Sequence, residues 1–126
     1  MGMHLLAVAL GSALGGCLRY LATLGVNALI QRGFPWGTFA VNVAGCLLIG
    51  ILHVLIVERG GGTETLRLFA MVGVLGGFTT FSSFSLEMLL LVQQGALGRA
   101  VTYVVASVVV CLVTSVAGMA LARAAG

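Results

Sequence analysis

Charged side chains are scarce in this sequence of 126 residues, which contains no lysine and no aspartate. Six arginines and three glutamates make up 7% of the chain, whereas about a quarter of a soluble domain is typically charged. Hydrophobic residues account for 60% of the sequence, and the mean hydropathy is +1.20. The chain therefore has too little polar surface for a soluble globule, and lipid must solvate most of it.

The length allows one domain, covering residues 1–126. Its net charge of +3 comes from separated arginines, most of them near the ends of apolar stretches. That placement is typical of arginines at a membrane interface and does not indicate a nucleic-acid-binding patch.

Cysteine pairs with metal-binding or redox spacing are also missing. Cys17, Cys46 and Cys111 are odd in number, none belongs to a CxxC motif, and each lies inside an apolar stretch. We interpret them as small core residues and not as metal ligands or disulfide partners.

The apolar N-terminus, Met1 to Gly16, resembles the apolar region of a signal peptide. However, no lysine or arginine precedes it, and the apolar run continues past Arg19. We therefore expect it to be a first helix that the mature protein retains.

Four stretches are long enough to cross a hydrocarbon core, which needs about 20 helical residues. They cover residues 4–30, 34–57, 68–93 and 100–122. Pro35 suits the first turn of the second helix, and Gly60-Gly61-Gly62 marks a loop. The sequence thus predicts an all-α integral membrane protein with four transmembrane helices.

Four crossings place both termini on the same side of the membrane. The arginines divide almost evenly, with Arg59, Arg67 and Arg123 on the side of the termini and Arg32 and Arg99 on the other. Since basic residues set orientation, so weak a bias makes insertion in both directions plausible. An antiparallel, dual-topology dimer is consistent with this pattern.

The third stretch has the most informative composition. Eight of residues 73–87 are Gly, Ser or Thr, which are poor helix formers. They lie near mid-membrane, where unpaired backbone groups are tolerated only if buried in protein, lining a cavity or binding an ion. We predict non-helical backbone around residues 76–80; the alternative is a continuous helix whose hydroxyls bond back to their own turn.

Small residues also predict close helix packing. Gly11 with Gly15, and Gly73 with Gly77, form GxxxG motifs. Each match alone is weak, but the chain contains 19 glycines, which together indicate closely approaching backbones.

Several polar and aromatic side chains in the stretches could contact an anion. Phe78, Phe81 and Phe84 alternate with serines, and the edges of phenyl rings carry partial positive charge. Asn42 must pair within the protein or face a pore, because an unpaired amide is costly in lipid. One helix face carries residues spaced by four, namely Tyr103, Ser107, Cys111 and Ser115.

Two charges lie inside apolar stretches, Arg19 in the first and Glu87 in the third. Charges within a membrane are functional candidates by default. For Arg19 the alternative is a purely structural role, as an anchor for packing or at the interface.

Three segments resemble the hallmark blocks of the Fluc (CrcB) fluoride channels: GCLRY at residues 16–20, GTFAVN at 37–42 and GGFTTFSSFSLE at 76–87. The resemblance covers the whole chain, and the third block is highly specific. It implies a fluoride channel of the cell inner membrane, without enzymatic activity, that exports fluoride from the cytoplasm and so reduces its toxicity. It also implies an antiparallel homodimer with two pores.

The resemblance further implies roles for individual residues. A structural sodium ion, which is not transported, is expected at the dimer centre on the backbone carbonyls of Gly76 and Thr79. The implied anion pathway consists of Asn42, Phe81, Phe84, Ser82, Tyr103, Ser107, Thr38 and Glu87. Packing roles are expected for Arg19 and Gly77. Cys111 departs from the hydroxyl or glycine expected there, which leaves the far end of the polar track open.

Fluoride is small and strongly hydrated, so several weak donors suit its conduction better than one tight site. Two other functions are open to a small protein of four transmembrane helices. A small four-helix drug/proton antiporter would need an acidic residue in the first helix, where this sequence has Arg19 and no acid. A non-transporting assembly subunit would use its glycines for packing alone.

Overall fold

The computed structural model describes residues 1–30 and 33–126, and it confirms an all-helical membrane protein. Within these residues four helical segments are long and apolar enough to cross a membrane. They are α1 (Gly2–Leu29), α2 (Trp36–Glu58), a third crossing over Glu64–Gln93, and α5 (Leu97–Ala124). The third crossing consists of α3, residues 64–78, and α4 (Phe81–Gln93). Gln31 and Arg32, in the first predicted connector, lie outside the described residues.

Two of the helices contain wider, π-type turns. α2 changes to this form over His53–Glu58, and α3 has it over Leu68–Leu75. α3 begins at Glu64, before the apolar stretch itself, because Thr63 caps it by accepting a hydrogen bond from the Leu66 amide at 3.1 Å.

α1 and α3 pack through their two GxxxG motifs. A Cβ atom added to Gly73 would lie 2.9 Å from the Cα of Gly11, and one added to Gly15 would collide with the backbone carbonyl of Val74. A Cβ on Gly77 would lie 2.7 Å from the carbonyl oxygen of Ser12. The two helices therefore approach closely enough that their backbones touch, as small-xxx-small motifs permit.

α2 and α5 form a second close pair. Added Cβ atoms on Gly50 and Gly118 would each collide with a carbonyl of the opposite helix, that of Ser115 and that of Leu47. Ser115 Oγ also donates to the Cys46 carbonyl at 3.1 Å. Hydroxyls on α5 thus fix its register against α2, and both helices supply side chains to the candidate site.

Arginines tie the helix ends together at both ends of the bundle. At one end, Arg59 Nη2 donates to the Ala122 carbonyl at 2.6 Å, and Arg123 pairs with Glu58. At the opposite end, Arg99 Nη1 donates to the Gly33 carbonyl at 3.3 Å. The C-terminal ends of α2 and α5 therefore lie side by side, at the same end of the bundle. This is expected because two crossings separate them in the chain.

Candidate functional site

The third crossing is broken, as predicted, but over a shorter segment than predicted. Thr79 (φ −92°, ψ 158°) and Thr80 (φ −150°, ψ 123°) are extended, whereas Gly76–Phe78 is helical. The prediction of non-helical backbone at Gly76 and Gly77 is wrong. Gly77 instead lets α3 approach α1, so that its lack of a side chain serves packing and not the bend.

Asn42, on α2, compensates for the backbone bonds lost at this break. Its Nδ2 donates to the Thr80 carbonyl at 3.0 Å, and its Oδ1 accepts from the Thr80 amide at 2.8 Å. Thr80 then caps α4, since its Oγ1 accepts from the Ser83 amide at 3.1 Å. One side chain from a different helix therefore satisfies both main-chain groups of an extended residue at mid-membrane.

These bonds free two carbonyl groups. In a continuous helix the Gly76 carbonyl would accept from the Thr80 amide, and the Thr79 carbonyl from the Ser83 amide. Both amides are instead engaged, by Asn42 and by the Thr80 hydroxyl. The carbonyls of Gly76 and Thr79 thereby lose their helical donors, and Gly76 lies on an exposed surface.

Arg19 meets the neighbouring carbonyl. Its Nε donates to the Gly77 carbonyl oxygen at 2.9 Å, which replaces the bond that the Phe81 amide would make in an unbroken helix. The deep arginine of α1 is therefore bound to the last turn before the break. The two residues for which packing roles were expected are in direct contact.

An open cavity of about 470 Å³, here called the central cavity, lies beside the break. Its lining includes side chains from α2, α3, α4 and α5, among them Asn42, Thr79, Phe81, Phe84, Ser107 and Cys111. Ser107 is buried, and its Oγ has no hydrogen-bond partner among the described residues. A buried, unpaired hydroxyl on a cavity wall can bind a ligand or a water molecule.

Three aromatic rings pack in series beside this cavity, and the first two of them line it. The ring centroids of Phe81 and Phe84 are 5.4 Å apart, and those of Phe84 and Tyr103 are 5.0 Å apart. Tyr103 is fully buried and donates its hydroxyl to Glu87 Oε1 at 3.2 Å. The edge-on packing of Phe34 against Tyr103, at 5.3 Å, was not predicted, since nothing in the sequence distinguishes this phenylalanine from others at a helix start.

A second cavity of about 610 Å³, here called the outer cavity, is lined by two residues that contact Tyr103, namely Phe34 and Glu87. Glu87, Asn27, Phe34 and Gln94 are among the residues that line it. Phe84 lines the central cavity, and Tyr103 is bonded to Glu87 in the outer one. The packed rings of Phe84 and Tyr103 therefore lie between the two cavities.

The structure places the predicted pathway residues in different environments. Asn42, Phe81, Phe84 and Ser107 share the central cavity, while Tyr103 and Glu87 continue toward the outer one. Thr38 is buried on the first turn of α2. Ser82 is exposed, with its Oγ 3.3 Å from Thr80 Oγ1, and lines neither of these two cavities.

The oxygen atoms at the break that could act as cation ligands belong to carbonyl and hydroxyl groups. Among the described residues no three His, Cys, Asp or Glu side chains are grouped so as to hold a metal ion. Any cation held by residues at the break would therefore be bound by carbonyl or hydroxyl oxygens, which are hard ligands.

Comparison with known proteins identifies the family. Residues 6–119 match the family model described as CrcB-like protein, Camphor Resistance (CrcB). A fluoride-specific ion channel FluC of Agrobacterium fabrum is 46% identical over 121 residues, covering 96% of this chain and 97% of that protein. FluC proteins of Caulobacter vibrioides and Sphingopyxis alaskensis are 48% and 49% identical, over 94% of this chain and 94% of each relative.

Proposed function

Since this chain belongs to the CrcB family, we propose that it is a fluoride-specific ion channel whose anion path runs from the central cavity past the Phe84 and Tyr103 rings to the outer cavity. It is a multi-pass protein of the inner membrane and not an enzyme. The observation that carries the proposed path is the position of these rings between the two cavities.

The donors along this path suit a small, strongly hydrated anion. Asn42 uses one amide hydrogen for the Thr80 carbonyl and keeps a second, while the Ser107 hydroxyl is unpaired among the described residues. The edges of Phe81 and Phe84 add weak positive potential. Each donor is weaker than an ammonium group, so the anion can be bound and released, as conduction requires.

The movement is passive export from the cytoplasm, which lowers the toxicity of fluoride. α1 carries Arg19 and no acidic residue that could exchange a proton for substrate. Glu87 is the one carboxylate near the path, and it accepts the Tyr103 hydroxyl. A proton gradient is therefore not needed.

The functional unit is an antiparallel homodimer. Phe81 is 79% exposed and Gly76 is exposed, although both flank the break at mid-membrane. A second copy packed over this face would cover them. The nearly even division of arginines between the two sides, three against two, gives only a weak bias toward one orientation.

A structural sodium ion at the dimer centre fits the break. The carbonyls of Gly76 and Thr79 have lost their helical donors, and two chains would bring four such oxygens together. With no carboxylate nearby, a monovalent cation is better matched than a divalent one in a low-dielectric site. When bound, the ion would neutralise the carbonyl dipoles and hold the two subunits together, without being transported.

Efflux from liposomes separates the candidate functions. Proteoliposomes loaded with potassium fluoride should release fluoride, recorded by an electrode, when valinomycin balances the charge. Proteoliposomes loaded with potassium chloride should not release chloride under the same conditions. Proton-coupled uptake of a cationic drug would instead support the antiporter. Release of neither anion and uptake of no drug would leave an assembly role, and the channel proposal would be wrong.

A further inference from the structure

Two of the three cysteines meet where α2 packs on α5. Cys46 and Cys111 are free thiols, and both line the central cavity. The register of the helices is fixed around them, since Ser115 Oγ donates to the Cys46 carbonyl at 3.1 Å and Thr114 Oγ1 donates to the Val43 carbonyl at 3.4 Å. Thr114 Oγ1 also lies 3.1 Å from the Cys111 carbonyl oxygen, so the helix turns that carry the two cysteines contact each other.

The same wall carries a further donor that has no partner. Ser107 lies one turn before Cys111 on α5, and its buried Oγ is unpaired among the described residues. The third cysteine, Cys17, is exposed on α1 and is not part of the cavity lining. The cavity is therefore lined by two cysteines, from contacting turns of α2 and α5, and by one unpaired hydroxyl.

We propose that Cys46 and Cys111 form a two-thiol binding site for a soft, thiophilic metal ion that accepts two ligands, such as Hg²⁺ or Ag⁺. Sulfur ligands select soft metal ions over the hard cations that carbonyl oxygens bind. A thiol binds as the thiolate, so binding releases its proton. With HgCl₂, two S–H bonds break, two S–Hg bonds form, and two protons and two chloride ions leave without any change of oxidation state.

The bound metal would lie in the central cavity beside Asn42 and Phe84. If the cavity is part of the fluoride path, which rests on the function proposed above, an ion bridging the sulfurs would obstruct that path. A soft metal is then an inhibitor acting from inside the channel, at a site separate from the carbonyls of the break.

Metal retention tests the site without any measurement of transport. Cys17→Ser removes the exposed thiol and serves as the parent for two further variants, Cys46→Ala and Cys111→Ser. After HgCl₂ and extensive washing with a monothiol, the parent should keep one mercury per chain. Each further variant should lose it about a hundredfold more readily, because the second sulfur binds intramolecularly. Equal retention by parent and variants, or none by the parent, would overturn the proposal.

Mercury-edge X-ray absorption on the Cys17→Ser protein, treated with HgCl₂ and washed without any thiol, decides the question even if a further variant does not fold. Two sulfur neighbours per mercury are expected, whereas a single sulfur would overturn the site. Fluoride efflux of the parent should also fall after HgCl₂ and recover with a dithiol. If the untreated protein shows no fluoride efflux, the channel proposal fails, while the retention and absorption results still decide the two-thiol site.

Discussion

Asn42 and Thr80 are joined by a reciprocal pair of hydrogen bonds, of 3.0 Å and 2.8 Å, across 38 positions of sequence. The amide side chain replaces, for one extended residue, both main-chain partners that a helix would have supplied. The bend in the third crossing therefore depends on a residue of α2, which also lines the central cavity.

Replacing Asn42 by alanine should destabilise the protein strongly. Two main-chain groups at mid-membrane would lose their partners, at about 1–3 kcal/mol for each group left unpaired. Asn27→Ala is the matched control. Asn27 is exposed near the end of α1, and its side chain accepts a single hydrogen bond, from the Gly37 amide at 3.0 Å. Thermal unfolding in detergent should show the larger loss for Asn42→Ala. Equal losses would mean that the paired bonds contribute little.

Neighbouring glycines on α1 should respond differently to alanine. A Cβ on Gly15 would collide with the Val74 carbonyl of α3, whereas Gly16 has nothing within 4 Å. Gly15→Ala should therefore cost about 1–3 kcal/mol through overpacking, while Gly16→Ala should be tolerated. Unfolding of the two variants in the same detergent checks this, and equal tolerance would contradict the close packing of α1 on α3.

Composition was sufficient to predict the four crossings, because each is a long apolar stretch bounded by charge or glycine. It also predicted that the third would break, since eight of residues 73–87 form helices poorly. The predicted range, residues 76–80, contains the observed break at Thr79 and Thr80 but wrongly extends it over the glycine pair, which is helical. The position of the break is decided by hydrogen-bond partners far away in sequence, Asn42 for Thr80 and Arg19 for Gly77. The helix propensity of one stretch contains no information about such partners.

The candidate site was partly predictable from the spacing of its residues in the sequence. Spacing by four placed Tyr103, Ser107 and Cys111 on one face, and in the structure that face points inward, with Tyr103 and Ser107 buried. Which hydroxyl stays unpaired, and that Phe34 packs on Tyr103, depend on how separate helices meet. Ser82 resembles the other motif serines in sequence, yet it is exposed.

Fluoride efflux should not require a pH gradient. Glu87 is the only carboxylate near the path, and Gln at this position retains an oxygen that can accept the Tyr103 hydroxyl. We expect Glu87→Gln to conduct, with the same rate whether or not a proton gradient is imposed. The measurement is electrode-recorded efflux under matched and opposed gradients. A wild-type rate that depends on the imposed proton gradient, together with loss of flux in Glu87→Gln, would indicate coupled transport.

Sodium should be bound at the break through carbonyls. Prolonged removal of sodium, with potassium as replacement, should abolish efflux, and a structure in sodium should show the ion on the two-fold axis, checked by anomalous substitution. Thr79→Val should behave like wild type, because the proposed ligand is its carbonyl and not its hydroxyl. Full activity without sodium, or an empty axis, would refute this site.

The role of Phe84 is the most direct test of the proposed path, because its ring packs on Tyr103 between the two cavities. The measurement is the initial rate of fluoride efflux from proteoliposomes containing Phe84→Ile, Phe81→Ile or wild type. Phe69→Ile is the control, since Phe69 lies on α3 away from both cavities. We expect each pathway variant to lose at least about tenfold in rate, equivalent to roughly 1.4 kcal/mol, while the dimer still assembles and the control conducts normally. Wild-type efflux from both Phe84→Ile and Phe81→Ile would show that these rings only pack, and would contradict the path.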